Sequence, residues 1–236
     1  MSVKLGIPSK GRLQERCFDW FAARGVTLGR AGSAREYAGA VSGAEGVELV
    51  LLSAGEIPRE LAAGRIHLGV TGTDLVRERL PDWPSRVEEV QRLGFGHADL
   101  VLAVPKAWID VDTLDDLDAA AAQFRARHGF RLRIATKYHN LARDFLRRNG
   151  VADYQLVDSQ GATEGTVKNL TAEAIADITS SGDTLAANHL KPLADGLILA
   201  SEAALFRSRP APREGRTGAD EALLLERLGV SRENMQ

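Results

Sequence analysis

The sequence is poor in cysteine and in long apolar runs, and each shortage excludes a class of protein. Its single cysteine, Cys17, cannot form an internal disulfide. Apolar stretches such as 47–52 and 100–104 fall far short of the ~20 residues that cross a bilayer, so no membrane segment is expected. With 26% charged residues and a formal net charge of −2, the chain also lacks the basic excess typical of nucleic-acid-binding proteins.

Further absences narrow the location and chemistry. The N-terminus, M-S-V-K-L-G-I-P, lacks the charged region, apolar region and cleavage site of a signal peptide, which predicts a cytoplasmic protein. Cys17 shares a predicted amphipathic helix with Leu13 and Phe21, and this pattern favours a buried thiol over a nucleophile. The five histidines show no metal-ligand spacing. Neither the P-loop pattern nor G-x-G-x-x-G occurs, and no local Ser-His-Asp or Cys-His arrangement is present.

What is present is an alternation of short β-rich runs with helical patterns, which predicts an α/β fold. Strands are expected at 3–8, 48–53, 67–71, 99–105, 133–136, 154–157, 173–178 and 196–200. Helices are expected at 13–24, 56–63, 74–79, 114–128, 140–149, 164–170, 184–190 and 219–228. Two prolines in P-D-W-P-S-R at 81–86 predict a domain boundary, and the Pro-, Gly- and Arg-rich segment 207–218 predicts a mobile linker.

Ligands of open parallel sheets bind outside the carboxyl ends of the strands, so the loops that follow predicted strands have priority. The first is P-S-K-G-R at 8–12. Gly11 permits close backbone approach, while Lys10 and Arg12 place positive charge beside a helix N-terminus that favours anions. The alternative is an ordinary strand-to-helix turn with two solvated cations.

The second loop is V-T-G-T-D at 70–74. Thr71, Gly72 and Thr73 supply hydroxyls and backbone donors before Asp74, which stands at a helix start. Such a turn can also serve only as a helix cap. Because the preceding strand resembles the first in length and apolarity, the two loops are expected at one sheet edge.

The third loop follows E-A-I-A-D at 173–177, where strand alternation places both carboxylates on one side. The hydroxyls and N–H groups of residues 180–184 could surround a phosphate monoester, and Asp177 could accept hydrogen bonds from sugar hydroxyls. The alternative is that Asp183 or Ser181 merely caps the next helix.

Taken in order, the motifs resemble those of the ATP phosphoribosyltransferase family. The segments that carry the resemblance are G-I-P-S-K-G-R-L at 6–13, L-G-V-T-G-T-D-L at 68–75, I-A-T-K-Y at 134–138, G-A-T-E-G at 161–165 and A-E-A-I-A-D-I-T-S-S-G-D-T-L-A-A-N at 172–188. The last segment is highly specific. The others are individually weak but stand in the correct order.

The resemblance implies a two-domain α/β fold similar to type II periplasmic binding proteins, with the active site in the interdomain cleft. Domain I would comprise 1–92 plus about 188–236, and domain II about 93–187. The implied reaction transfers the phosphoribosyl group of 5-phosphoribosyl 1-diphosphate to N1 of ATP, releases diphosphate and requires Mg²⁺. Substrate phosphates would carry most of the metal coordination, and the protein ligands are unknown.

The same resemblance implies site residues. The 177–184 turn would hold the 5-phosphate through Asp177, Thr179, Ser180, Ser181, Gly182, Asp183 and Thr184, and Glu173 with Asp177 would face the ribose. Lys10 and Arg12 are candidates for stabilising the diphosphate. Expected ATP contacts are Gly11, Arg12, Arg35, Thr71, Gly72, Thr73, Asp74 and Glu164. Many family members carry an arginine in the segment where this chain has Ser53 and Gly55, which leaves that contact in doubt.

The chain length resembles the short form of the family. That form works with a regulatory subunit similar to histidyl-tRNA synthetase, and the implied assembly is a homodimer within a hetero-octamer. Two other readings of the residues stay open at this point. One is a binding protein that closes on a small anion without chemistry, and the other is the ligand-sensing domain of a regulator.

Overall fold

The computed structural model describes residues 2–30, 38–159, 161 and 163–230. The chain divides into two compact units, of which unit 1 comprises Met1–Gly96 and Glu202–Gln236 and unit 2 comprises His97–Ser201. The expected domain limits near 92 and 188 differ from this division because the strand that ends at Ser201 pairs with unit 2. The boundary expected at 81–86 is wrong, since this segment lies inside unit 1 and includes a short helix.

Unit 1 contains a mixed sheet with helices packed against it. Its strands are β1 (Val3–Pro8), β2 (Thr27–Arg30), β3 (Ala38–Ser42), β4 (Val47–Leu52), β5 (Leu68–Gly72), β6 (Val87–Arg92) and β12 (Ala203–Ser208), in the sheet order β2-β3-β4-β1-β5-β12-β6. Its helices are α1 (Gly11–Ala22), α2 (Ile57–Ala62), α3 (Thr73–Arg79), α4 (Trp83–Arg86) and α9 (Thr217–Arg227). β1 runs parallel to both β4 and β5. The carboxyl ends of these three strands therefore share one edge.

Unit 2 has its own sheet. Its strands are β7 (Ala98–Pro105), β8 (Leu132–Thr136), β9 (Tyr154–Asp158), β10 (Ala174–Thr179) and β11 (Leu190–Ser201), in the order β11-β7-β10-β8-β9. Its helices are α5 (Leu114–His128), α6 (His139–Arg148), α7 (Gly165–Lys168) and α8 (Asp183–Ala187). β8, β9 and β10 are parallel, whereas β7 is antiparallel to β10 and to β11. The α/β prediction is confirmed in both units.

The cores follow the apolar pattern of the sequence. In unit 1, Leu5, Phe21 and Leu205 are fully buried, and in unit 2 Leu102, Leu132 and Ile175 are. Cys17 is also buried, as expected, and desolvation raises the pKa of its thiol to about 12. This thiol is therefore a core group rather than a nucleophile.

Helix α5 has the bounds predicted from its sequence. Thr113 and Asp116 form a capping box, in which the Asp116 N–H donates to Thr113 Oγ1 at 3.3 Å and the Thr113 N–H donates to Asp116 Oδ2 at 2.9 Å. Gly129, with φ of 78°, ends the helix in the left-handed conformation that glycine adopts most easily.

The linker expected at 207–218 is wrong. Its start lies in β12, and the Ser208 hydroxyl donates to Leu61 O at 2.6 Å. Within the segment, Ala211 is buried and Arg213 Nη2 donates to Ser208 O at 2.6 Å. Arg213 also pairs with Glu221 of α9, so this Pro- and Gly-rich stretch is held to the body of unit 1.

Candidate active site

The carboxyl edge of the unit 2 sheet brings three loops together. In the parallel register Thr136 of β8 stands opposite Ala176 of β10 and Asp158 of β9. The buried Thr136 hydroxyl donates to Ala176 O at 2.7 Å and accepts from the Tyr138 N–H at 2.9 Å. This side chain fastens the end of β8 to β10, so the loops that follow start from fixed positions.

The predicted phosphate turn is an open, hydrogen-bonded loop at this edge. Asp177 is half-buried, and its Oδ1 accepts from the Ile178 N–H at 2.9 Å. Thr179 Oγ1 accepts from the Gly182 N–H at 2.9 Å, and Gly182 has a φ of 80° with no atom within 4 Å of an added Cβ. The requirement for glycine here is conformational rather than steric. Ser180, Ser181, Asp183 and Thr184 are exposed.

The helix-cap alternative holds in part, since the N–H of Asp183, the first residue of α8, donates to Ser181 Oγ at 3.4 Å. The N-cap position of α8 is Gly182, and it makes no side-chain cap bond. The Ser181 hydroxyl also donates to Asp183 Oδ2 at 2.7 Å, and the Ser180 hydroxyl donates to His97 O at 3.1 Å. Helix α8 ends at Ala187, earlier than the expected 190. The negative Asp183 carboxylate would repel an anion in the turn. A bound anion would therefore be stabilised by the backbone N–H groups of the turn and not by the Asp183 side chain.

Glu173 lies away from this turn. It precedes β10, four residues before Asp177, which corresponds to about 13 Å along a strand. Its carboxylate accepts from the Arg133 N–H at 2.8 Å and from Arg133 Nη2 at 2.5 Å, and the side-chain hydrogen bond above all raises the pKa of Arg133. The strand predicted at 173–178 is observed one residue later, as β10. The expectation that both carboxylates face one ribose is not supported, since Glu173 is bound to Arg133 at the opposite end of the strand.

The loops after β8 and β9 are tied to each other. Lys137 Nζ donates to Gly161 O at 2.6 Å, and His139 Nε2 lies 3.1 Å from Asp158 Oδ1. Glu164 stands half-buried just before α7. Lys137 was not a predicted site residue, although it lies in the motif I-A-T-K-Y, and its place one residue after a buried strand is the signal that could have found it.

In unit 1 the loops after β1 and β5 share one edge, as predicted. Pro8 pairs in register with Leu52, Gly6 pairs with Gly69, and the Ser9 N–H donates to Leu52 O at 2.7 Å. Gly11 has a φ of 79° and no atom within 4 Å of an added Cβ. Lys10 and Arg12 are exposed, and within the described residues neither side chain has an ion-pair partner. This loop therefore presents two uncompensated cations.

The loop V-T-G-T-D differs from expectation because its side chains face inward. Thr71, Thr73 and Asp74 are all buried. The Thr71 hydroxyl donates to Ala54 O at 2.8 Å, and the Thr73 N–H donates to Glu202 O at 3.0 Å. These groups hold the edge together, so only half-buried Gly72 is placed to approach a ligand through its backbone.

The segment after β4 carries negative rather than positive charge. The Ser53 N–H and hydroxyl donate to Glu56 Oε2 at 3.0 and 2.7 Å, and the hydroxyl bond above all lowers the pKa of Glu56. The ligand contact that many family members would make through an arginine in this segment therefore has no equivalent at Ser53 or Gly55. Arg35, the expected substitute cation, lies outside the described residues.

No group of three or more His, Cys, Asp or Glu side chains in the described part of the chain could hold a metal ion. A cavity of about 280 Å³ in unit 1 is lined by Gly43, Ala44, Glu45, Asp220, Leu223, Leu224 and Arg227. It borders the turn before β4, at the edge opposite Lys10. Nor does any helix among the described residues have the length and apolarity needed to span a membrane.

Known structures resemble the fold of the chain. An ATP phosphoribosyltransferase (HisG:HisZ) complex from Thermotoga maritima matches with a TM-score of 0.71 at 22% identity, covering 96% of each chain. The VFT2 domain of BvgS from Bordetella pertussis matches with a TM-score of 0.53 at 16% identity, covering 99% of this chain and 88% of that one. The expected likeness to periplasmic binding proteins is thereby confirmed at the level of fold.

Several curated relatives have a much higher sequence identity to this chain than these structures have. An ATP phosphoribosyltransferase of Cereibacter sphaeroides is 72% identical over 98% of this chain and 97% of its own length, and one of Mesorhizobium japonicum is 51% identical over 94% of each. The chain covers 70% of a longer relative from Rhodopseudomonas palustris, so its length fits the short form. The family model HisG, ATP phosphoribosyltransferase, matches residues 53–228. On this similarity, the chain belongs to the ATP phosphoribosyltransferase family.

Proposed function

We propose that the carboxyl edge of the unit 2 sheet binds the phosphoribosyl donor and that the corresponding edge of unit 1 supplies cations and ATP contacts. The activity itself follows from the family: the chain transfers the phosphoribosyl group of 5-phosphoribosyl 1-diphosphate to N1 of ATP. The products are diphosphate and N1-(5-phosphoribosyl)-ATP, in the first step of histidine biosynthesis.

The observation that carries the placement of the donor is the environment of Asp177. It stands at the carboxyl end of β10 and its Oδ1 accepts from the Ile178 N–H, while its Oδ2 has no partner among the described residues. The exposed 180–184 turn follows directly. A carboxylate oxygen suits a vicinal diol, and serine hydroxyls with turn N–H groups suit a phosphate monoester. Both functions of a sugar phosphate therefore find partners within eight residues.

The chemistry needs little from a general base. Adenine N1 carries an outward lone pair, so its attack on ribose C1 removes no proton from the nucleophile. Positive charge grows on the ribose ring and negative charge grows on the diphosphate, which makes electrostatic stabilisation and alignment the main tasks. Asp177 suits the first charge, and the exposed cations Lys10 and Arg12 suit the second.

Mg²⁺ fits this arrangement as an ion carried by the substrate. Mg²⁺ usually binds proteins through one or two carboxylates and completes its shell with phosphates and water. The described residues hold no three-ligand cluster, and Asp177 offers one free carboxylate oxygen at the donor turn. Bound there, the ion would neutralise charge on the diphosphate.

For ATP, the residues left available are Gly11, Arg12, Gly72 and Glu164. Gly11 and Gly72 offer backbone close to the end of β1 and β5, and Arg12 offers a cation. Half-buried Glu164 could accept from an amino group. The buried Thr71, Thr73 and Asp74 support the loop from behind.

The resemblance to the T. maritima complex supports a partner subunit. That structure is an assembly of HisG with HisZ. We place this chain in a similar assembly with a regulatory subunit resembling histidyl-tRNA synthetase, as a homodimer within a hetero-octamer, in the cytoplasm where ATP is available. The non-catalytic alternatives gain no support, because the likeness to sensing and binding proteins is confined to the fold.

The test is an Asp177→Asn variant with Asp115→Asn as its matched control, since Asp115 is an exposed aspartate of the same unit on α5. Turnover is followed by the ultraviolet absorbance of the product with ATP, 5-phosphoribosyl 1-diphosphate and Mg²⁺, with and without a candidate regulatory subunit. Loss of an interaction worth about 1.4 to 4 kcal/mol lowers kcat/KM by roughly tenfold to a thousandfold. Equal kinetics of the two variants would remove Asp177 from the site.

A further inference from the structure

The ion pair of Arg133 and Glu173 shows which residues of β8 and β10 share a face. The two strands are parallel and in register, with Ile134 opposite Ala174. One residue earlier, Arg133 Nη2 donates to Glu173 Oε1 at 2.5 Å. Residues that stand opposite each other in this register therefore project to the same side, and at the amino edge a cation and a carboxylate form a closed pair.

At the carboxyl edge the register ends with Thr136 opposite Ala176, and Lys137 and Asp177 are the residues that follow this pair. A second cation and a second carboxylate therefore lie on neighbouring chain segments at this edge, with Lys137 just past the end of β8 and Asp177 within β10. Among the described residues these two side chains form no ion pair with each other, and each has a different partner. Lys137 Nζ donates to Gly161 O at 2.6 Å, and Asp177 Oδ1 accepts from the Ile178 N–H.

Lys137 has hydrogen-bond donors that are available to a ligand. The Lys137 ammonium has three donors, of which one is directed to Gly161 O. Lys137 is exposed, and it stands across from the strand that leads into the 177–184 turn. A cation beside that turn offsets the like charge that Asp177 and Asp183 would present to a phosphorylated ligand.

We infer that Lys137 is a further binding residue of this site and that its ammonium contacts a phosphate group of the phosphoribosyl donor. The inference rests on the proposed function, because it takes the 177–184 turn as the donor site. Asp177 would then accept from the ribose hydroxyls while Lys137 supplies the positive charge that the turn itself lacks.

The test measures binding of 5-phosphoribosyl 1-diphosphate with Mg²⁺ to the full-length chain by titration calorimetry. Lys137→Met is compared with Lys106→Met, which removes an exposed lysine after β7, at the opposite edge of the same sheet. A lost charge-assisted hydrogen bond weakens donor binding by about ten- to a hundredfold in the first variant only. Lys137→Arg keeps the charge and should retain affinity within about fivefold.

A purely structural role through Gly161 would behave differently. It would lower the melting temperature of Lys137→Met and weaken ATP and donor binding alike, and that result would overturn the inference. Separate titrations with ribose 5-phosphate and with inorganic diphosphate identify the phosphate contacted, since a selective loss with either ligand supports the contact. Equal donor affinities of the Lys137→Met and Lys106→Met variants would also overturn it. If the wild-type chain bound no donor at all, the proposed function would fail first.

Discussion

Removal of the Glu221 carboxylate should destabilise unit 1 more than any change on the outer face of α9. Glu221 is fully buried and accepts from Arg207 Nε at 2.6 Å and from Arg213 Nε at 3.1 Å. Arg207 belongs to β12, and Arg213 belongs to the segment between β12 and α9. One carboxylate therefore joins the last helix, the returning strand and the connection between them.

The size of the effect follows from burial and charge. Deleting one partner of a buried ion pair costs about 3 to 5 kcal/mol, because the remaining charge loses its compensation. The side chains of Arg207 and Arg213 are 30% and 22% exposed, so water can partly solvate them after the loss. The lower half of that range, about 3 to 4 kcal/mol, is therefore expected for Glu221→Ala. In a chain of this size, this corresponds to a fall in Tm of roughly 10 °C.

The assay is urea and thermal unfolding followed by circular dichroism, with Glu226→Ala as the control. Glu226 is an exposed glutamate on the same helix, so the control carries the same change in helix propensity and formal charge. Glu221→Gln keeps the side-chain volume and should fall between the two, since its amide oxygen can still accept from both arginines but the negative charge is lost and its NH₂ faces Arg213. If Glu221→Ala and Glu226→Ala lost equal stability, the argument that this carboxylate clamps unit 1 would be refuted.

Three further outcomes are expected. Lys10→Ala should slow diphosphate release or pyrophosphorolysis by about ten- to a hundredfold. The control, Lys4→Ala, removes an exposed lysine of β1 and should leave both rates unchanged. Wild-type rates of the Lys10→Ala variant in both directions would remove Lys10 from the site. Gly182→Ala should destabilise the turn by about 1 to 2 kcal/mol, because Gly182 has a positive φ, and should raise the KM for the donor. The control is Gly29→Ala, at a position without a positive φ and with open space for a Cβ, which should leave this KM unchanged. Because burial raises the pKa of Cys17 to about 12, only about one part in ten thousand of this thiol is ionised at pH 8. A thiol reagent should therefore react with the native chain far more slowly than with the urea-unfolded chain. Equally fast labelling of both forms would contradict the burial of Cys17.

The sequence predicted the parallel strands well because their signal is local. The bounds of β1, β4, β5 and β8 agree with expectation to within one residue, as apolar runs between turn residues require. The strands β3 (A-G-A-V-S) and β6 (V-E-E-V-Q-R) were missed, since small or charged residues conceal them. β11 was found only in part, because Pro192 and Gly196 interrupt its pattern where its register with β7 shifts.

The candidate site was predicted in part for a related reason. Sequence spacing places Glu173 and Asp177 on one face, but only the neighbouring strand decides that Arg133 binds Glu173. Likewise the polar composition of V-T-G-T-D predicted a ligand contact, whereas Thr71 and Thr73 form hydrogen bonds with adjacent loops. The significance of Lys137 depends on the pairing of Thr136 with Ala176, which brings the loop after β8 next to β10.

The return of the chain to unit 1 has a consequence for biosynthesis. β12 lies between β5 and β6 in the sheet, and it emerges from the ribosome only after the whole of unit 2. At 5–20 residues per second, the edge of β5 waits roughly 7 to 26 s for its partner. Unit 2 is continuous in sequence and can fold during that interval, whereas the buried strand Leu68–Gly72 stays open to mispairing. The edge of β5 is thus exposed to mispairing for the whole time in which unit 2 is synthesised, and β12 covers it as soon as unit 2 is complete.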